Sequence, residues 1–200
     1  YLDDVIDQCD LFLAITGDYW FTNIKNGPTL RWLPKMVQLN LAVDRSQFPK
    51  IKTVFNPAGK RKFLYIGNDH PGKSLSYLSS IATRQEDYEF AWAGKGATYQ
   101  GLKKLGYVDF SAAEGRQVVA SYDFMITVGK ADANPTTILE ALSWGLIPIC
   151  TGTSGYSNEY GILNIPKDDV TSACSILSDL QLADASYLSN LTEAGSLLID

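Results

Sequence analysis

Apolar residues cluster along this chain in two ways. From residue 63 onward, short runs that are apolar almost throughout alternate with amphipathic stretches. Phe63-Leu64-Tyr65-Ile66, the run 88–93, Phe124-Met125-Ile126-Thr127-Val128 and Leu146-Ile147-Pro148-Ile149-Cys150 predict buried strands. A further short strand is expected at Tyr107-Val108. Residues 74–84, 115–120, 135–144 and 171–180 carry the helical spacing between and after them. Strands buried on both faces and separated by helices predict a doubly wound parallel α/β sheet. Before residue 58 the pattern is looser. Leu2, Val5, Ile6 and Cys9 lie at helical spacing, residues 10–17 predict a short buried strand, and residues 36–41 predict a further strand. The loop-like, basic stretch 46–62, with Pro49, Pro57 and Gly59, sets a boundary between residues 1–57 and 58–200.

Composition narrows the function classes. The chain has 200 residues, 46% of them hydrophobic and 20% charged, which is ordinary for a globular fold and argues against wholesale disorder. No run of about 18 apolar residues predicts a transmembrane helix. The net charge of -5 offers no basic footprint for nucleic acid. Charge is unevenly spread: residues 58–130 carry 10 basic and 7 acidic side chains, and residues 131–200 carry 1 and 9. An anion site should therefore lean on the middle segment. Three cysteines without paired spacing read as reduced cytosolic thiols, and the single His70 leaves no His-rich metal site. The first residues open inside an amphipathic helix pattern and the last stop after an apolar run, so a piece of a longer protein is expected.

Ligands of open α/β sheets bind beyond the carboxyl ends of the strands, which directs attention to the strand-to-helix loops. Gly67-Asn68-Asp69-His70-Pro71-Gly72-Lys73-Ser74 could present backbone N–H groups and a lysine to a phosphate, or be an ordinary turn; its spacing is not that of a Walker A loop. In the stretch 131–140, Asn134 suits an N-cap and Pro135 the first helical position, which would leave the N–H groups of Thr136 and Thr137 facing the cleft. Asp132 and Glu140 could accept hydrogen bonds from sugar hydroxyls or be solvated acids. Thr151-Gly152-Thr153-Ser154-Gly155-Tyr156 lies at the same edge as a contact loop or a plain connector. Gly94-Lys95-Gly96 reads as a turn, and Tyr107 and Phe110 could stack on a base or belong to the core.

Asp132, seven residues, Glu140-Ala141-Leu142 and then Gly145-Leu146-Ile147-Pro148-Ile149 resembles the signature of the retaining GT-B glycosyltransferases of glycosyltransferase family 4. That signature runs Glu, seven residues, Glu-Ala-(Met/Leu), then Gly-(Leu/Ile/Val)-Pro-(Val/Ile). Three further stretches resemble the family in the same order. Residues 40–49 are similar to its interdomain segment, Phe63 to Gly67 with Lys73 to its first strand and phosphate loop, and Ser121 to Ile126 to the strand before the acidic motif.

The resemblance implies a Rossmann-like, C-terminal half of a GT-B fold. Residues 1–57 would be the tail of an acceptor domain and the crossover, and residues 58–200 a truncated donor-binding domain. Such a protein would transfer a hexose from a nucleotide-sugar, UDP- or GDP-linked, to a glycan or lipid-linked acceptor held by its missing N-terminal domain. It implies catalytic roles for Asp132, at the reacting sugar, and Lys73, on the diphosphate. Gly67, Asn68, Val108, Asn134, Pro135, Thr136, Thr137 and Glu140 would complete the donor site, with Val108 at the base and Glu140 at the ribose. No metal and no cofactor beyond the substrate is implied, nor any nucleic-acid partner or membrane insertion. Polysaccharide synthesis is the implied setting, with a cytoplasmic location, free or peripheral at the inner face of the membrane. Asn68 stands where the family has Arg, and Asp132 is one methylene shorter than Glu, a difference in reach of about 1.5 Å. Asn134 and Pro135 replace the family's Phe and Gly/Pro pair. Two alternatives stay open: a catalytically silent nucleotide- or sugar-binding scaffold, and a GT-B nucleotide-sugar epimerase.

Overall fold

Runs as apolar as Phe63-Leu64-Tyr65 can leave water only as strands covered on both faces, and the structure covers them so. The computed structural model describes residues 2–24, 26–39, 41–157 and 159–199. In chain order these form α1 (Leu2–Gln8), β1 (Phe12–Ala14), α2 (Asp18–Ile24), β2 (Met36–Gln38), β3 (Lys62–Ile66), α3 (Leu75–Arg84), β4 (Glu89–Ala93), β5 (Leu102–Gly106), α4 (Ala113–Ala120), β6 (Phe124–Thr127), α5 (Thr136–Trp144), β7 (Ile147–Thr151), β8 (Leu163–Ile165), α6 (Val170–Leu182) and α7 (Ala185–Ser196). Short 3-10 turns occupy Leu30–Lys35, Pro71–Lys73 and Gly152–Ser154.

The main sheet is parallel throughout, in the order β5-β4-β3-β6-β7-β8. This is the doubly wound order, with its reversal between β3 and β6. Period-two alternation sends Phe63 and Tyr65 to one face, against α3 and α6, and Leu64 to the other, against α4 and α5. Register is held by aromatic stacking: Phe63 lies 4.7 Å from Phe90 and 5.1 Å from Phe124, its partners on β4 and β6. Buried in the second layer, the Cys150 thiol is pushed up to about 12 by desolvation, against a hydrogen bond from Asn164.

Several expectations need correction. The strand expected at Tyr107-Val108 is β5, at Leu102–Gly106. It is an edge strand with Lys103 and Lys104 exposed, so it carries no continuous apolar run. The first strand is three residues long and is not buried along its length: Leu11, Leu13 and Ile15 are exposed, and only Ala14 of β1 is buried. Its partner β2 ends at Gln38, and Asn40 lies outside the described residues. The helix expected from 74 begins at Leu75, with Ser74 as a left-handed cap at φ 55°. Two short elements, α2 and β8, and the amphipathic α7 are additional to those the pattern predicts.

Residues 41–61 form an irregular strap that returns to the main sheet through a buried polar knot. Asp123 is fully buried and Lys52 nearly so, with Lys52 Nζ 3.0 Å from Asp123 Oδ1. The same carboxylate accepts from the Asn56 N–H (2.7 Å), Asn56 Nδ2 (2.7 Å) and the Lys62 N–H (2.9 Å). Phe48 packs on Trp144, centroids 5.5 Å apart. Among the described residues no helix is long and apolar enough to cross a membrane.

Candidate functional site

Where the strand order reverses, the loops after β3 and β6 diverge and leave an open cleft of about 260 Å³. Tyr65, Ile66, Gly67, Asn68 and Lys73 form one wall, and Thr127, Asp132, Asn134, Pro135, Thr136 and Thr137 the other. Eight of the ten residues expected at the site therefore line one cleft. Val108 and Glu140 do not.

The first wall is set by its own turn chemistry. The Tyr65 hydroxyl donates to the Asn68 carbonyl (2.9 Å), and Trp92 Nε1 donates to the Gly67 carbonyl (2.7 Å). Asn68 Oδ1 then accepts from the His70 N–H, and His70 Nδ1 from the Gly72 N–H, each at 3.1 Å. His70 is thus a turn brace. Burial, with Asp132 and Asp69 adding to it, holds the Tyr65 phenol far above its usual range, so it stays protonated and donates.

Across the cleft, Lys73 Nζ pairs directly with Asp132 Oδ2. This contact joins the lysine and the first acid of the signature, 59 residues apart. The acid neutralises the cation. A diphosphate reaching Lys73 would compete with Asp132 for it. Asn68, where an arginine would supply a second charge, brings none.

The acidic loop is clamped from three sides. Its Asp132 N–H donates to the Thr153 carbonyl (3.1 Å), and Thr151 Oγ1 and Thr153 Oγ1 donate to the Gly129 carbonyl (2.6 and 2.8 Å). Trp20 Nε1, from α2, donates to both the Asp132 and Thr153 carbonyls (3.1 and 3.0 Å), and the Gly17 N–H reaches the Ala133 carbonyl (2.8 Å). Gly155 permits this packing. It sits at φ 87°, and a Cβ there would come within 2.5 Å of the Ala133 carbonyl oxygen.

The capping expectation is overturned. Pro135 is the N-cap of α5, and Asn134 makes no cap. Asn134 Oδ1 instead accepts from the Tyr156 hydroxyl at 2.7 Å, a tie to the loop after β7. Thr136 and Thr137 still open α5 on the cleft, where the first N–H groups of a helix have no intrahelical acceptor. A negative group there is favoured by the helix dipole by about 0.3–1 kcal/mol. Glu140 lies one turn further along. Burial raises its carboxyl above the ordinary value, and a hydrogen bond with Thr136 offsets part of that rise.

Trp20, Gly17 and Tyr65 carry no signal of these contacts in the sequence, and Tyr156 shows there only as the end of a loop that could be a contact loop or a plain connector. Nothing near Trp20 signals a contact 112 residues away. Tyr156 sits in a polar loop whose partner only the fold reveals. Phe110 packs on Trp144 (5.4 Å) and belongs to the core, whereas Tyr107 is 75% exposed. Among the described residues, no three His, Cys, Asp or Glu side chains gather as a metal site.

No protein-family model and no curated protein matches the chain. Solved structures do. Sucrose-phosphate synthase from Thermosynechococcus elongatus superposes with a TM-score of 0.78 at 12% identity, over 99% of this chain and 55% of that one. The catalytic domain of starch synthase IV from Arabidopsis thaliana, bound to ADP and acarbose, gives 0.74 at 11% identity, over 98% and 53%. Anabaena HepE with UDP and glucose gives 0.69 at 11%, over 96% and 58%. The chain thus spans little more than half the length of these structures. Its architecture is the Rossmann-like one of the C-terminal half of GT-B glycosyltransferases.

Proposed function

We propose that this chain is the donor-binding part of a retaining glycosyltransferase of the family-4 type. It takes a hexose from a UDP- or GDP-linked donor and passes it to a glycan or lipid-linked acceptor held by a preceding domain. The observation that carries this reading is the pairing of Lys73 with Asp132 at the point of strand reversal, beside the amino end of α5. HepE with UDP-glucose and starch synthase IV with ADP, both of the same fold, support it.

In this reading the diphosphate lies between Lys73 and the N–H groups of Thr136 and Thr137. Asp132 gives up the lysine and turns to the sugar. Negative charge growing on the leaving diphosphate meets a cation and a helix dipole fixed in place before the reaction, which is where electrostatic catalysis is most effective. Thr136, Thr137 and Lys73 supply the neutralisation a metal would otherwise give. Glu140, one turn along α5, holds the ribose, and Val108, beyond β5, holds the base through its backbone. Residues 1–57 end the acceptor domain and cross between the two.

The test is donor turnover by the full-length protein, read as nucleoside diphosphate released and as the anomeric configuration of the product. Transfer with retention, unaffected by EDTA and lost on Glu140→Ala and Lys73→Met, is expected. Full activity in Glu140→Ala would remove its ribose role. One observation favours a second reading, the silent scaffold: Asp132 already neutralises Lys73, and Asn68 adds no charge. Nucleotide binding with no turnover in the full-length protein would favour it.

A further inference from the structure

Two consecutive carbonyl groups of the acidic loop, those of Asp132 and Ala133, are held by α2 and the residue before it. Trp20 Nε1 donates to the Asp132 carbonyl (3.1 Å) and also to the Thr153 carbonyl (3.0 Å), and the Gly17 N–H donates to the Ala133 carbonyl (2.8 Å). The Asp132 N–H in turn donates to the Thr153 carbonyl (3.1 Å). Both polar groups of the Asp132 backbone are therefore engaged, one by the loop after β7 and one by the indole. Gly17 and Gly155 meet backbone to backbone, and a Cβ on Gly17 would collide with the Gly155 carbonyl. The indole is set in turn by Tyr19, edge-on with centroids 5.3 Å apart.

Neither Trp20 nor Gly17 lies on a wall of the cleft, yet the residue they anchor is the one whose carboxylate pairs with Lys73. With its N–H and its C=O both fixed, Asp132 can leave the lysine only by rotation about its own side-chain bonds. The arc its carboxylate sweeps then starts from a fixed backbone. An indole that donates to two carbonyls on two loops also fixes the spacing of those loops. Such placement matters for rate, because a shift of about 1 Å in a reacting group costs on the order of a hundredfold. We infer that Trp20 is a positioning residue: its indole N–H holds the Asp132 backbone and so sets where the carboxylate meets the donor sugar. Because α2 lies within residues 1–57, the acceptor side of the protein thereby places the acid of the donor side.

This assignment rests on the donor-site reading above, and the experiment separates the two. Release of nucleoside diphosphate from UDP-glucose, UDP-N-acetylglucosamine and GDP-mannose is measured with the full-length protein, and the donor turned over fastest is carried through the variants. Two substitutions divide the indole. Trp20→Phe keeps an aromatic ring and loses the N–H, whereas Trp20→His keeps a ring N–H at the same number of bonds from the backbone and loses the second ring. Trp20→Phe should lower kcat about 10–100-fold, with the donor KM within about twofold of wild type. Trp20→His should recover most of that loss. In an Asp132→Ala background, Trp20→Phe should change kcat no further, because residues that act as a unit are not additive. Gly17→Ala, which forces α2 away from the loop without touching the indole, should lower kcat in the same way. Wild-type kcat in Trp20→Phe overturns the assignment. So does a lower kcat in Trp20→His than in Trp20→Phe, the order expected of a ring that only fills space, or a full additional loss in the Asp132→Ala background. Wild-type kcat in Asp132→Ala, or release from none of the three donors by the wild type, overturns the donor-site reading itself.

Discussion

Asp123→Ala should cost the fold about 3–5 kcal/mol. The carboxylate is fully buried and receives Lys52 Nζ and the Asn56 N–H on one oxygen, and Asn56 Nδ2 and the Lys62 N–H on the other. Deleting it leaves an ammonium that is 4% exposed with, among the described residues, the Ala120 carbonyl 3.2 Å away as its remaining partner. Removing one member of a buried pair costs about 3–5 kcal/mol because the other charge stays unpaired. Two backbone donors lose their acceptor as well, each worth about 1–3 kcal/mol if it remains dry. These terms share one site and do not add fully, so the pair value is the working figure. Against a total of about 5–15 kcal/mol that loss is large. Urea unfolding reads it directly: with a slope of about 3 kcal/mol/M, the midpoint falls by roughly 1–2 M. Lys52→Met alone should cost less, because the carboxylate keeps its other three donors. Combining Lys52→Met with Asp123→Asn should recover part of the loss, because no charge is then left unpaired. A loss under about 1 kcal/mol for Asp123→Ala at unchanged slope would refute the reasoning and show that water or a shifted strap satisfies Lys52.

Glu140→Gln should stabilise the protein at neutral pH while weakening donor binding. Burial raises the folded carboxyl's pKa above its unfolded value. The wild type is therefore favoured below the unfolded value and loses that advantage as pH rises through the folded one. The variant, which has no charge to bury, should unfold at a higher temperature than the wild type at pH 7, with the gap closing toward pH 4; a gap that does not change with pH would refute the assignment. Ser74→Gly should add about 1 kcal/mol of stability. Ser74 holds φ 55°, and its buried hydroxyl has no hydrogen-bond partner among the described residues. A melting temperature unchanged or lowered by Ser74→Gly would mean that the cap carries neither strain nor an unmet hydrogen bond.

The central strands could be read from sequence because each is apolar on both faces, and such runs have few other places to go. The edges could not. β5 contains Lys103 and Lys104 because one side of an edge strand meets water, so its pattern breaks where the sheet ends. β8, also at an edge, is three residues long. β1 and β2 put Leu13 and Val37 opposite each other on an exposed face, and for β1 burial was the wrong inference from hydropathy. The cap at Asn134 failed for a different reason. Its side chain had a choice of partners, and Tyr156, 22 residues on, was the one the fold supplied.

What the sequence determined by itself was the layered α/β class, the order of its central elements, and the loops that carry Lys73, Asp132 and Thr136. Local periodicity and short-range turn chemistry fix these, and both are written in neighbouring residues. The tertiary structure alone decided that Lys73 and Asp132 meet, that Trp20 clasps the acidic loop, and that Lys52 is buried against Asp123. It also left Glu140 outside the cleft wall and Tyr107 open to solvent. Each of these depends on where strands far apart in the chain come to lie side by side. That placement is set by packing across the whole sheet, and no short stretch of sequence contains it.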